Sequence, residues 1–183
     1  MSKGADLFDV ELAVRADDWA EGPLDAPVTV IEYGDYDCSD TRRAEPMVQE
    51  LRGALGDGVR FVYRHFPLLE KHPRAFEAAA ATEAAGAQGA FWAMHDALLA
   101  YPQAPTRPDL IRLATDLGLD ADLFAADLEE HRHASAVEED LASAARLGVG
   151  SSPTFFVNDV SYDDQHDPAV IRRAIDEALA AAR

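Results

Sequence analysis

The most constraining feature of the sequence is a strand pattern and a helix pattern joined by the only cysteine of the chain. Residues 28–33 are rich in β-branched and aromatic side chains and end at a glycine, which predicts a buried strand. Apolar residues one turn apart over residues 39–55 predict an amphipathic helix, and the Gly-Asp-Gly at 56–58 ends it. Cys38 therefore lies between the end of a predicted strand and the start of a predicted helix.

A cysteine in that place has two interpretations. The start of a helix offers unpaired backbone N–H groups and the positive end of the helix dipole. Both favour the thiolate, which is the nucleophilic form of cysteine. The alternative is a buried cysteine that packs as a small hydrophobic residue. The polar neighbours Asp37, Ser39 and Asp40 argue against burial and favour a reactive Cys38.

The rest of the chain continues the alternation of strand and helix. A second strand pattern over residues 59–66 completes a βαβ unit, which makes the two strands parallel with a right-handed crossover. The pattern over residues 71–147 is helical throughout. A turn and strand at 148–158, a hairpin partner at 160–162 and a final amphipathic helix from Pro168 follow.

Two separated motifs resemble those of the DsbA-like thioredoxin-fold oxidoreductases. The first is the run over residues 28–38 with Ala-Glu-Pro at 44–46, and the second is Gly-Ser-Ser-Pro-Thr-Phe-Phe at 150–156. The resemblance covers about residues 22–183 and implies an α/β, thioredoxin-like fold with an inserted all-helical subdomain. It divides the chain into an N-terminal arm at 1–21, a thioredoxin-like domain at 22–70 and 148–183, and the inserted helical subdomain at 71–147. In the arm, residues 7–14 predict an edge strand or a helical turn, and Trp19 anchors the arm to the body.

The sequence departs from that family at one decisive position. The family usually carries Cys-x-x-Cys, whereas this chain carries Cys38, Ser39, Asp40 and Thr41. A dithiol enzyme attacks with one thiolate and resolves the mixed disulfide with the other, and Thr41 cannot resolve it. Cys38 is therefore predicted to be the catalytic nucleophile of monothiol chemistry, mixed-disulfide exchange or deglutathionylation, with the Thr41 hydroxyl donating a hydrogen bond to its sulfur. Glutathione or another low-molecular-weight thiol would complete the cycle as co-substrate, with no bound cofactor and no metal.

The resemblance also implies the wall that faces the cysteine. Pro153 corresponds to the family's cis-proline, and the backbone of Ser152 before it would pair with an extended peptide or a thiol adduct. Tyr36 and Ser39, on either side of the cysteine in sequence, complete the predicted substrate-binding residues.

Charged and titratable neighbours leave the reactivity of the cysteine open at this stage. Asp35, Asp37 and Asp40 oppose a thiolate, whereas Arg42 and Arg43 favour one. A histidine paired with the cysteine would suggest a hydrolase, whereas helix capping or core hydrogen bonding is the ordinary alternative. The candidates are His65, His72 and His95.

Composition bounds the partners and the compartment. With 183 residues, 48% of them hydrophobic, the chain can bury the core of one folded domain. A formal net charge of -18 excludes nucleic acid and anionic membranes as partners and leaves a thiol- or disulfide-containing protein or a small thiol. The first residues do not resemble a secretory leader, and a single cysteine allows no internal disulfide, so a cytoplasmic protein is predicted.

Two other functions remain open beside a monothiol oxidoreductase. One is a redox-inactive thioredoxin-fold binding module that keeps the substrate groove. The other is a glutathione-dependent isomerase or transferase. A thiol of ordinary reactivity at Cys38 would favour the binding module, whereas adduct formation with glutathione would favour the two enzymes.

Overall fold

The computed structural model describes residues 12–54, 56–162 and 167–182. Most of the edge strand or turn predicted at 7–14 lies outside these residues. The strands in chain order are β1 (Trp19–Glu21), β2 (Val28–Gly34), β3 (Val59–His65), β4 (Thr154–Val157) and β5 (Val160–Tyr162). They form one sheet in the order β1-β3-β2-β4-β5. β2 and β3 are parallel, and the other neighbouring pairs are antiparallel.

Helices occupy the segments where the apolar periodicity predicts them. Those of the described residues are α1 (Ser39–Ala54), α2 (Ala75–Ala87), α3 (Phe91–Ala100), α4 (Arg107–Asp116), α5 (Ala121–Glu129), α6 (Ala134–Leu147) and α7 (Pro168–Ala181), with a 3₁₀ turn at Gly56–Gly58. α1 links two parallel strands, so the predicted βαβ unit is confirmed. α2 to α6 lie between β3 and β4, and the α/β, thioredoxin-like fold with inserted helices is confirmed. The division into domains at the predicted boundaries stays a prediction.

The sheet separates two clusters of buried side chains because successive residues of a strand face opposite sides. Val28 and Val30 of β2 pack with Val48 of α1 in the larger cluster, which the helices α1, α2, α3 and α7 cover. Ile31 and Tyr33 of the same strand face the smaller cluster, which contains Ala144 of α6. β2 is thus covered on both faces, which explains its continuous run of apolar residues.

The predicted anchoring by Trp19 is confirmed. Its ring stacks on that of Phe91 with centroids 4.4 Å apart, and its Nε1–H donates to Glu83 Oε1 at 2.8 Å. A Cβ at Gly86 of α2 would lie 2.3 Å from the Trp19 ring, so this close packing requires glycine there. β1, which contains Trp19, therefore forms the edge of the sheet as well as the contact to the helices.

Candidate active site

Cys38 lies at the amino-terminal end of α1. Its N–H donates to the Asp35 carbonyl oxygen at 3.1 Å, which closes the turn after β2. Its own carbonyl accepts the Arg42 N–H at 3.2 Å, which makes it part of the first turn of the helix. The side chain is only 7% exposed, so the expectation that polar neighbours keep Cys38 at the surface is wrong. The reason is the segment at 150–152, which folds over the sulfur from a distant part of the chain.

The segment before β4 forms the wall opposite the sulfur. The peptide bond between Ser152 and Pro153 is cis. The Cys38 thiol donates to the Ser152 carbonyl oxygen at 3.2 Å. The hydroxyl oxygens of Thr41 and Ser152 lie 2.8 Å apart and share a hydrogen bond. The structure thus brings Cys38, Thr41 and the 152–153 segment together, as the sequence predicts.

The role predicted for the Thr41 hydroxyl differs from the one it has. Thr41 is fully buried, and its Oγ1 accepts the Asp35 N–H at 3.4 Å in addition to its bond with Ser152. Among the described residues, no hydrogen bond joins this oxygen to the Cys38 sulfur. The Thr41 hydroxyl therefore ties the cysteine turn to the Ser152 wall, and the hydrogen bond predicted from it to the sulfur is not present in the described part of the chain.

An open cleft of about 230 Å³ lies over the thiol. It is lined by Cys38, Ser39, Asp40, Leu68, Lys71, His72 and the segment 150–152. Ser39 lies at this cleft as predicted.

Tyr36 is not placed where the sequence predicts it. The sequence predicts a substrate-binding side chain, yet Tyr36 is 1% exposed and its hydroxyl pairs with His95 Nδ1 at 3.0 Å. Its ring packs among other rings, with centroids 5.4 Å from Tyr63 and 5.5 Å from His95. The backbone turn after β2 directs this ring into the core, so Tyr36 supports the site from beneath and does not line the cleft.

Only one of the candidate histidines lines this cleft. His65 and His95 are fully buried, and they pair with Glu83 and Tyr36 respectively. His72 lines the cleft beside the thiol, and its Nδ1 lies 2.7 Å from Asp35 Oδ2.

Asp35 organises this side of the cleft. Its carboxylate is fully buried and accepts the Asp37 N–H at 2.7 Å and the Leu68 N–H at 2.8 Å, in addition to its contact with His72. Sequence alone treats Asp35 as a charge that opposes the thiolate. Its partners Leu68 and His72 lie more than thirty residues further along the chain, so local sequence gives no signal for this role.

A buried acid in β2 is a feature that sequence reasoning missed. Glu32 is 1% exposed, and neither carboxylate oxygen has a hydrogen-bond partner among the described residues. Burial raises the pKa of the Glu32 carboxyl well above its usual value, Glu45 raises it further, and Arg52 opposes the shift. A single glutamate inside the apolar run at 28–33 is the sequence signal that could have found it.

We expect Glu32→Gln to become more stable relative to the wild type as the pH rises from 5 to 8. Because the folded-state pKa is raised, stability from protonated Glu32 is full below the unfolded value near 4.5 and is lost as the pH rises. The loss amounts to at most about 1.4 kcal/mol per pH unit. Urea unfolding should show that the free energy of unfolding of the variant, relative to that of the wild type, is larger at pH 8 than at pH 5. An equal difference at both pH values would contradict the prediction, and Glu129→Gln at an exposed position is the control.

Near Glu32, one cluster resembles a metal site in composition. Glu45, His95 and Asp96 bring ligand atoms within 4.8 Å of one another. The Arg52 guanidinium already donates to Asp96 Oδ1 at 2.8 Å and lies 3.9 Å from Glu45 Oε1. A positive charge thus stands where a metal ion would bind, and the cluster is best described as a partly buried ion-pair network.

Comparison with known proteins assigns the chain to a family. Residues 16–177 match the family model described as thioredoxin. The chain belongs to this thioredoxin family. A thioredoxin-like oxidoreductase from Silicibacter pomeroyi DSS-3 superposes with a TM-score of 0.80 at 30% identity, covering 95% of this chain and 96% of that one. Oxidised BdbD from Bacillus subtilis gives 0.77 at 25% identity, covering 88% and 92%.

These likenesses confirm the DsbA-like thioredoxin fold that the motifs indicate. Wolbachia pipientis alpha-DsbA1, at 19% identity and a TM-score of 0.79, supports the fold alone; the alignment covers 97% of this chain and 98% of that one. Cys38 is the only cysteine of this chain, and it is buried and not in a disulfide.

Longer curated relatives also contain a segment like this chain. The Na(+)/H(+) antiporter NhaA 1 of Salinispora arenicola (strain CNS-205) is 43% identical over 179 residues, which cover 97% of this chain and 27% of the relative. This thioredoxin-family chain thus spans about a quarter of the length of the curated relatives it matches. No helix in the described part of the chain combines the length and apolar character needed to cross a bilayer. The name Na(+)/H(+) antiporter belongs to those longer proteins.

Proposed function

We propose that the protein is a thiol-disulfide oxidoreductase that exchanges mixed disulfides through the single thiol of Cys38. The observation that carries the proposal is the placement of that thiol, at the start of α1, facing the Ser152 carbonyl and opening on a cleft. Helix N–H groups stabilise a developing thiolate, and the cleft admits the second sulfur. The substitution at Thr41 removes the internal resolving thiol.

The reaction proceeds in two exchanges with balanced electrons. The Cys38 thiolate attacks one sulfur of a substrate disulfide, a new S–S bond forms, and the other substrate sulfur leaves as a thiolate. A second thiol from solution, glutathione or another small thiol, then attacks the mixed disulfide and regenerates Cys38. Ser39 and Ser152 line the cleft beside the sulfur, and together with Pro153 they are the proposed contacts for the substrate. The proposed compartment is the cytoplasm, which keeps small thiols reduced.

One observation favours a second candidate, the redox-inactive binding module. Cys38 is 7% exposed, so access to its sulfur is narrow, while the cleft beside it is open. In that case the cleft would bind a peptide and the thiol would pack as a small apolar group.

Reaction with glutathione disulfide separates the two functions. Native protein is expected to gain one glutathione at Cys38, detected by mass spectrometry, at least about tenfold faster than the urea-unfolded chain at the same pH. Added reduced glutathione should then remove the adduct. Cys38→Ser should gain no mass under either condition. A native thiol that reacts more slowly than the unfolded thiol would overturn the oxidoreductase and leave the binding module.

A further inference from the structure

The resting thiol needs a proton acceptor before it can attack. The Cys38 S–H donates to the Ser152 carbonyl oxygen, an acceptor that cannot take the proton away. Only the thiolate is nucleophilic. A basic group at the same cleft would remove this proton and later return it to the sulfur that leaves.

His72 is such a group, and its orientation is fixed. The Asp35 carboxylate, which is fully buried, already accepts two backbone N–H groups, so it meets His72 Nδ1 as an acceptor as well. Nδ1 therefore carries a hydrogen and Nε2 keeps the free lone pair. The His72 side chain is 22% exposed and lines the cleft that contains the Cys38 sulfur. Cys38 and His72 line one cleft and Asp35 holds His72, so the site contains a nucleophile, a base and an orienting carboxylate.

We propose that His72 is the catalytic acid and base of the exchange at Cys38 and that Asp35 is its positioning residue. The proposal rests on the proposed function and adds the residue that moves the proton. In the first half, the Cys38 proton passes to His72 Nε2 as the thiolate attacks and the substrate S–S bond breaks. The leaving sulfur then takes that proton from Nε2–H, and Asp35 stabilises the imidazolium between the two transfers.

Other charges face the same cleft and enter its pH dependence. Lys71 precedes His72 in the chain, and Asp40 faces it from α1, where it also pairs with Arg43 at 2.8 Å. The opposing segment 150–152 carries no charged side chain. Lys71 supplies positive charge without a free lone pair when it is protonated, so Lys71→Met is the matched control for electrostatics in the cleft.

The test follows the reaction of Cys38 with a small neutral disulfide in the full chain as a function of pH. His72→Ala is expected to react about tenfold to a hundredfold more slowly at pH 7. Near pH 10 the rates should converge, because hydroxide then removes the thiol proton in both proteins. Added imidazole should restore the rate of His72→Ala at pH 7 and leave the wild type and Lys71→Met unaffected. Circular dichroism of each variant is the control for correct folding.

The outcomes distinguish failure of the proposed function from failure of the proposed role of His72. If wild-type Cys38 does not react with disulfides in the native state, the proposed function fails. If the wild type reacts and His72→Ala keeps the same rate and pH profile, the role of His72 is overturned while the oxidoreductase stands. A rate loss in His72→Ala that imidazole does not rescue and that Lys71→Met reproduces would assign the effect to charge and also overturn the role.

Discussion

Asp18→Ala is expected to lower the free energy of unfolding by about 3–5 kcal/mol, the cost of breaking a buried ion pair by removing one partner. The side chains of Asp18 and Arg64 are both fully buried. Their contact is bidentate, with Nε to Oδ1 at 2.9 Å and Nη2 to Oδ2 at 2.8 Å. Arg64 also donates to the Tyr33 hydroxyl and the Ala13 carbonyl, both at 2.9 Å. Removal of the carboxylate would break this buried ion pair beside the central sheet.

The pH dependence of this effect has a definite sign. Burial acts to raise the pKa of the Asp18 carboxyl, but the hydrogen bonds and charge of Arg64 outweigh it and the pKa is lowered. A lowered folded-state pKa gives stability that is present above the unfolded value and lost as the pH falls. The wild type should therefore lose more stability on acidification than Asp18→Ala, and the gap between them should narrow.

Urea unfolding followed by circular dichroism measures this difference. Asp17→Ala is the matched control, because the neighbouring side chain is 79% exposed and its ion pair with Arg15 spans 4.0 Å. Its expected effect is within about 0.5 kcal/mol. Adding Arg64→Leu to Asp18→Ala should recover part of the loss, since an apolar side chain then replaces the buried guanidinium. If Asp18→Ala unfolds at the same urea concentration as Asp17→Ala, the pair does not hold the segment before β1 to the sheet.

The elements that local sequence predicts are those with a clear apolar period and a recognisable end. β2, α1 and β3 follow the patterns at 28–33, 39–55 and 59–66 to within a residue or two. β1 was not predictable in this way, because three residues are too short to show a period. Local sequence also does not predict which distant residues a side chain contacts. Asp140 ends an acidic run at 138–140, a pattern typical of a solvated helix face. It is nevertheless 6% exposed, accepts the His65 N–H at 2.7 Å and contacts Arg15.

The candidate site shows the same limit. Motif resemblance places Cys38, Thr41 and Ser152 in one site because the two motifs meet at one end of the sheet in the thioredoxin-like fold. It does not reveal which hydroxyl Thr41 contacts or that the Tyr36 ring turns inward. Nor does it reveal that the Asp35 carboxylate contacts Leu68 N–H and His72 Nδ1, since those contacts depend on how the loop after β3 returns to the cysteine turn. Backbone proximity was predictable, whereas side-chain partners required the folded chain.

Thr41→Cys is expected to convert the site from monothiol to dithiol chemistry. Positions 38 and 41 lie in the first turn of α1, where helix geometry separates Cα atoms three residues apart by roughly 5 Å. That distance lies within the range of about 4.4–6.8 Å that disulfides require. The introduced thiol should attack the mixed disulfide at Cys38 and release glutathione without any external thiol. An effective concentration of only about 0.1 M would exceed a 1 mM external thiol by about a hundredfold, and well-placed groups surpass that value.

Mass spectrometry of the glutathionylated protein after removal of free thiols measures this release. The wild type should keep its adduct, whereas Thr41→Cys should lose it and lose two hydrogens as the internal disulfide forms. Thr41→Ser keeps a hydroxyl beside Ser152 and gains no second thiol, so its adduct should persist until a thiol is added. If the adduct persists equally in Thr41→Cys, the sulfur at position 38 is held away from the helix turn, and the substitution at position 41 is not what limits the site to one thiol.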